Sequence, residues 1–123
     1  MRIFKSKWFQ RFARKEGIED ATLREAVGRA EKGQIDADLG GGVIKQRIAR
    51  PGQGKSKGFR AIVFFRRGEK AVFMYGFPKS RQANISQDEQ QFKEAAKHVL
   101  CLTDEQFAEL IERGDFVETR VNE

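Results

Sequence analysis

The sequence predicts an α+β domain in which an N-terminal helix hairpin packs on a small antiparallel sheet, with additional C-terminal helices. Three observations lead there. Residues 1–39 hold two amphipathic helical stretches, each closed by a glycine; 40–81 hold three strand-like runs separated by a basic glycine-rich segment and a tight turn. Capping signals ahead of apolar stripes at helical spacing then return in 86–121. With 123 residues, 39% hydrophobic content and eleven Phe, one core is the simplest organisation. Residues 1–123 are therefore expected to form a single domain, without a linker long enough to divide them.

Taken in order, Ile3 and Phe4 suit a short edge strand, and Ser6 is a candidate N-cap. Phe9, Phe12 and Ala13 then share a helical face while Arg11, Arg14 and Lys15 lie elsewhere, and Gly17 can stop the helix. Trp8 can be an RNA-stacking aromatic, but a Trp in such a helix reads first as packing at the core or its rim. A second helix is expected from Asp20, with Leu23, Ala26, Val27 and Ala30 at three- and four-residue spacing and Gly33 as its stop. Val43 to Ala49 alternates around Ile44 and Ile48 with Lys45 and Arg47 on the opposite face, as a half-buried strand does. Phe59 to Phe65 is apolar at nearly every position except Arg60, which suits a central strand covered on both sides. Arg66 to Glu69 forms a turn, and Ala71 to Phe77 returns until Pro78 removes a ladder donor.

Past the sheet, Ser86 with Glu89 and Thr103 with Gln106 have capping-box spacing. They precede one stripe of Phe92, Ala95, Ala96, Val99 and Leu100 and another of Phe107, Leu110 and Ile111. Gly114 closes the last helix, and Phe116 to Val121 reads as a short strand. His98 and Cys101, on or beside the first stripe, read as packed residues rather than ligands.

Charge is distributed unevenly along these elements. Residues 1–39 carry a net +2, residues 40–81 a net +10, and residues 82–123 a net −6. In the middle block eleven Lys or Arg face one acid, Glu69. A surface charged only for solubility does not segregate in this way, so a polyanionic partner such as nucleic acid is indicated.

Several function classes are set aside by composition. No apolar run approaches the ~20 residues of a membrane span, so no membrane partner is expected and a cytoplasmic protein is the default. The single Cys forms no internal disulfide, and no Cys/His cluster has zinc spacing, so neither a metal nor another cofactor is expected. Ala49 to Ser56, ARPGQGKS, misses the phosphate-loop pattern only at its first glycine, but it leads into a β-branched and aromatic strand instead of a helix. Nucleotide hydrolysis does not fit that context. Phosphate binding does, because the glycines permit close backbone approach and Lys55, Lys57 and Arg60 supply charge.

Magnesium-dependent nucleases need several carboxylates, and histidine-pair ribonucleases need two histidines; the basic segment has one acid and the chain one His. Metal-free RNA scission is left open. There the 2′-hydroxyl is the nucleophile, clustered cations stabilise charge on phosphorus, and a lysine among like charges, Lys55, Lys57 or Lys79, becomes a usable base.

The element order, together with the run IKQRIARPGQGKSKGFRAIVFFRRGEKAVFMYGFPKSRQANI, resembles the RelE/HigB branch of the RelE/ParE toxin superfamily. The resemblance is fairly specific over 40–85, weaker over the leading helices and least informative for 86–121. It implies the toxin of a type II toxin–antitoxin module: a ribosome-dependent, metal-free mRNA interferase held in check by a cognate antitoxin. Ribosome-bound mRNA would be its substrate and an acidic or amphipathic antitoxin segment its cover. Residue by residue, the resemblance makes Arg60 the strand arginine on the scissile phosphate. Lys55 and Lys57 become its basic-loop lysines, and Lys79 and Arg81 the cations following the last hairpin strand. Lys45, Arg47 and Arg50 would extend the RNA track. The tyrosine base expected near Ser86 and the histidines of some members have no counterpart, and Tyr75, as an alternating strand residue, reads first as core. Two other classes stay open: a ParE-like gyrase inhibitor acting by protein contact, and a plain RNA- or DNA-binding module. Arg66, Arg67 and Lys70 read as solvated turn charges.

Overall fold

The computed structural model describes residues 1–50, 54–78 and 88–119, with the side chains of residues 50 and 54–57 outside that description. Its elements are β1 (Arg2–Ser6), α1 (Lys7–Glu16), α2 (Asp20–Glu31), β2 (Ala37–Gly40), β3 (Val43–Arg50), β4 (Gly54–Arg66), β5 (Lys70–Pro78), α3 (Glu89–Leu100), α4 (Asp104–Glu112) and β6 (Phe116–Glu118). The α+β class is as expected, but the arrangement is not the one read from sequence. The strand expected at Ile3 and Phe4 comes first, ahead of the helix pair, but it is internal instead of an edge, and the sheet has six strands in the order β2-β3-β4-β5-β1-β6. β1 runs parallel to β5 and antiparallel to β6, so the sheet is mixed.

The reason lies in β1 itself. Ile3 and Phe4 are both buried, Ile3 in the cluster beneath α1 and α2 and Phe4 in the cluster beneath α3 and α4. A strand covered on both faces belongs inside a sheet, and its parallel pairing with β5 requires the long connection that the intervening elements supply. β2 escaped notice because only four residues form it and their burial alternates weakly.

Consecutive residues of β3, β4 and β5 divide between the two cores. On one side Ile44, Ile48, Phe59, Ala61, Val63 and Phe73 meet Phe9 and Ala13 of α1 and Leu23, Ala26 and Ala30 of α2. On the other, Val43, Ile62, Phe64, Val72 and Phe77 meet Ala96 and Leu100 of α3 and Phe107 of α4.

Local signals account for the element ends. Ser6 caps α1 by accepting the Phe9 N–H, and Gly17 ends it at φ 71°. The Thr103/Gln106 capping box is formed at α4. Asp88 stands at the N-cap of α3 without a side-chain cap bond, and the Ser86 cap expected there lies outside the described residues. His98 and Cys101 are exposed, contrary to expectation, because His98 lies off the buried stripe of α3 and Cys101 is already its C-cap. Gly76 is required by packing: a Cβ there would run into the Phe12 ring, so its absence lets α1 lie directly on β5.

Candidate nucleic-acid interface

Not every cation of the 40–81 segment is available to a ligand. Arg66 Nη1 donates to the Leu100 carbonyl at 2.7 Å, and Arg67 Nη2 donates to the Glu31 carbonyl at 2.6 Å. Neighbours in sequence, they thereby satisfy the C-terminal ends of α3 and α2 on the two sides of the sheet, where a cation also complements the helix dipole. Lys70 is buried with Nζ 4.8 Å from the centre of the Phe107 ring. Lys70 is therefore not the solvated turn charge expected, whereas Arg66 and Arg67 keep much of their surface in solvent while bonding the ends of α3 and α2.

Arg60 is different. It sits in β4 on the face shared with Ile62 and Phe64, is 6% exposed, and its Nη1 has no hydrogen-bond partner among the described residues. β3 places Arg47 directly opposite. Burial lowers the pKa of the Arg60 guanidinium, repulsion from Arg47 lowers it further, and Asp36 offsets part of the shift. A guanidinium nevertheless stays protonated in a protein, so the outcome is a fixed positive charge stripped of water. Such a group gains most from an anion that reaches it.

A network on the other edge of β3 fixes Arg47. Its backbone N–H donates to Asp36 Oδ2 at 2.6 Å, and its Nε lies 3.6 Å from Asp36 Oδ1. Arg29 Nη2 donates to the Arg47 carbonyl, and Arg29 Nε pairs with Glu25 at 2.8 Å. Asp36 is itself held by Gln46, whose Oε1 accepts the Asp36 N–H at 2.8 Å while Nε2 donates to the Ala26 carbonyl at 3.0 Å. Sequence reasoning missed Asp36, Arg29 and Gln46. The one available signal was a polar residue, Gln46, on the inward face between Ile44 and Ile48.

Lys45 lies half-buried on the Arg47 face of β3, opposite Ile62. Arg50 ends β3, and Lys55 and Lys57 belong to β4. The expected basic loop is thereby corrected: strand pairing runs on to Arg50 and Gly54, leaving only residues 51–53 between the strands. The side chains of Arg50, Lys55 and Lys57 lie outside the description, and Lys79 and Arg81 lie outside the described residues altogether. Among the expected site residues, Arg60, Arg47 and Lys45 are thus the ones whose side chains are seen together on one face. Tyr75 is opposite Ile62 on β5, half-buried, with its ring 4.3 Å from Trp8 and 6.2 Å from Phe92.

Among the described residues no group of three His, Cys, Asp or Glu side chains could hold a metal ion, and no helix is long and apolar enough to cross a membrane. The arrangement is suited to holding a phosphate by charge and hydrogen bonds.

The search of curated proteins and that of solved structures gave no match. A family model described as the RelE toxin of the RelE/RelB toxin–antitoxin system matches residues 1–119. That match spans every element from β1 to β6, and the chain therefore belongs to the RelE toxin family, as the toxin of a toxin–antitoxin pair.

Proposed function

We propose that this toxin is an endoribonuclease that cuts mRNA on the ribosome by 2′-hydroxyl attack, with cationic side chains in place of a metal ion. The observation that carries this reading is the buried guanidinium of Arg60, opposite Arg47, whose Nη1 has no hydrogen-bond partner among the described residues. In the reaction the 2′-oxygen bonds to phosphorus and the bond to the 5′-oxygen breaks, leaving a 2′,3′-cyclic phosphate and, once the departing oxygen takes a proton from water, a 5′-hydroxyl. Arg60 and Arg47 stabilise the charge that accumulates on the phosphoryl oxygens. One of Lys55, Lys57 or Lys79, made less basic by its cationic neighbours, takes the 2′-proton. Arg81 assists at the phosphate, while Lys45 and Arg50 hold the flanking RNA.

Family membership implies an antitoxin partner. Its inhibitory segment is acidic, lies over the Arg60 face and associates quickly through charge complementarity. The ribosome, and hence the cytoplasm, is where the toxin acts.

The test replaces Arg60 and Lys57 together with Ala and follows cleavage of ribosome-bound mRNA. Losing a transition-state phosphate contact costs on the order of 10²–10³ in rate. Undiminished cleavage by the double variant would overturn the site. Intact transcripts with replication arrest would replace the reading by gyrase inhibition.

A further inference from the structure

A second cationic surface lies outside the 40–81 segment. α1, KWFQRFARKE, carries Lys7, Arg11, Arg14 and Lys15 against one acid, Glu16, and all four cations are exposed. Lys7, Arg11 and Lys15 recur every four residues and so line one stripe of the helix. None of the four makes an ion pair among the described residues, in contrast to Arg2, Lys5, Arg29, Arg47, Arg66 and Lys93. The first turn of α1 has no acid and begins with Lys7, the charge that the helix dipole disfavours there. Helix stability does not explain that choice.

Beside the stripe stands Trp8, the chain's single Trp, 44% exposed and the only large aromatic side chain so exposed among the described residues. Its ring stacks on Phe12 at 5.3 Å and lies 4.3 Å from Tyr75. The position is built: Ser6 Oγ accepts the Phe9 N–H and donates to the Met74 carbonyl at 2.9 Å, tying the start of α1 to the irregular stretch of β5 just before Tyr75. β1 stops pairing at Lys5 opposite Phe73, so among the described residues β5 from Tyr75 onward has no strand on that side, and the Trp8 ring packs against Tyr75 there. Tyr75 then leads by a 6.2 Å ring contact to Phe77, which pairs with Arg60. The aromatic row therefore joins the α1 surface to the Arg60 face.

We propose that Trp8 and the Lys7–Arg11–Lys15 stripe form a second binding surface for single-stranded RNA, on which the strand held at Arg60 continues round the edge of β5 and stacks a base on Trp8. The inference rests on RNA being the ligand of the Arg60 face. A single strand fits because it can turn an edge and offer the face of an unpaired base, whereas a duplex hides its base faces.

Trp8 reports on its own surface. Purified protein, and the Arg60→Ala variant, are titrated by Trp fluorescence with a single-stranded RNA of about 12 nucleotides, the same sequence as a duplex, and an acidic peptide of like charge. Quenching by the single strand is expected in both proteins, weakening roughly 20-fold between about 50 and 200 mM salt if three phosphates are engaged. Lys7→Glu with Arg11→Glu, both at exposed positions, should weaken it at least about tenfold with the circular dichroism spectrum unchanged. Trp8→Ala, followed by anisotropy of labelled RNA, should weaken binding about 5- to 150-fold. No quenching by the single strand, quenching only by duplex or peptide, or quenching indifferent to the charge reversals would each overturn the proposal. Because quenching is expected in Arg60→Ala and needs no cleavage, its failure is distinguishable from failure of the nuclease reading.

Discussion

Replacing Arg60 with Met should make the protein more stable and less active. The guanidinium is buried to 6% exposure, its Nη1 is unpartnered among the described residues, and Arg47 repels it from the opposite strand. A buried unsatisfied donor costs about 1–3 kcal/mol, and exchanging it for an unbranched apolar chain of similar length beside Ile62 and Phe77 removes that cost. For a domain of about 120 residues 1 kcal/mol corresponds to roughly 4 °C, so Tm should rise by about 4–12 °C. The assay is thermal and urea denaturation of both proteins, with and without sulfate as a phosphate mimic. Sulfate binds the folded wild type and should raise its Tm more than that of Arg60→Met. A Tm lowered by about 4 °C or more in the variant would refute the reasoning, since it would make Arg60 a structural bond instead of a charge kept ready for an anion.

Other expectations follow from the packing. Gly76→Ala drives a methyl into the Phe12 ring and should cost about 1–3 kcal/mol in urea denaturation, with Phe12→Leu in the same chain recovering part of the loss. Arg66→Ala and Arg67→Ala each leave a helix-end carbonyl without its donor and should cost about 0.5–1.5 kcal/mol by the same measurement, with mRNA cleavage unchanged. Gln46→Leu orphans the Asp36 N–H and so loosens the backbone that carries the carboxylate positioning Arg47. It should destabilise by about 1–3 kcal/mol and also slow cleavage, a combination that purely structural loss would not give once the folded fraction is measured.

Most elements were legible because they are local. The three- and four-residue spacing of Phe9, Ala13, Leu23, Val27 and Ala96, the alternation around Ile44 and Ile48, and the Thr103/Gln106 box all write their structure into neighbouring residues. Sheet order was not legible, because Ile3 meets Ala71 across a parallel ladder that no local pattern encodes. Arg60 stood out as the charge interrupting an apolar strand, whereas the burial of its Nη1 without a partner among the described residues is seen only in the structure. Asp36 and Arg29 stayed hidden, since each looks like an ordinary surface polar until the turn before β2 folds against β3, and only Gln46, polar at an inward position between Ile44 and Ile48, marked the network. Net charge by segment overstated the cluster, because Arg66, Arg67 and Lys70 are engaged with α3, α2 and the Phe107 ring.

The most direct measurement is the chemistry of the cut ends on ribosome-bound mRNA, made with a matched message carrying a 2′-deoxynucleotide at the cut position. If guanidinium and ammonium groups promote attack by the 2′-oxygen, the ends are a 5′-hydroxyl and a 2′,3′-cyclic phosphate, and the deoxy message stays whole. Ends bearing a 5′-phosphate, or scission of the deoxy message, would contradict the account.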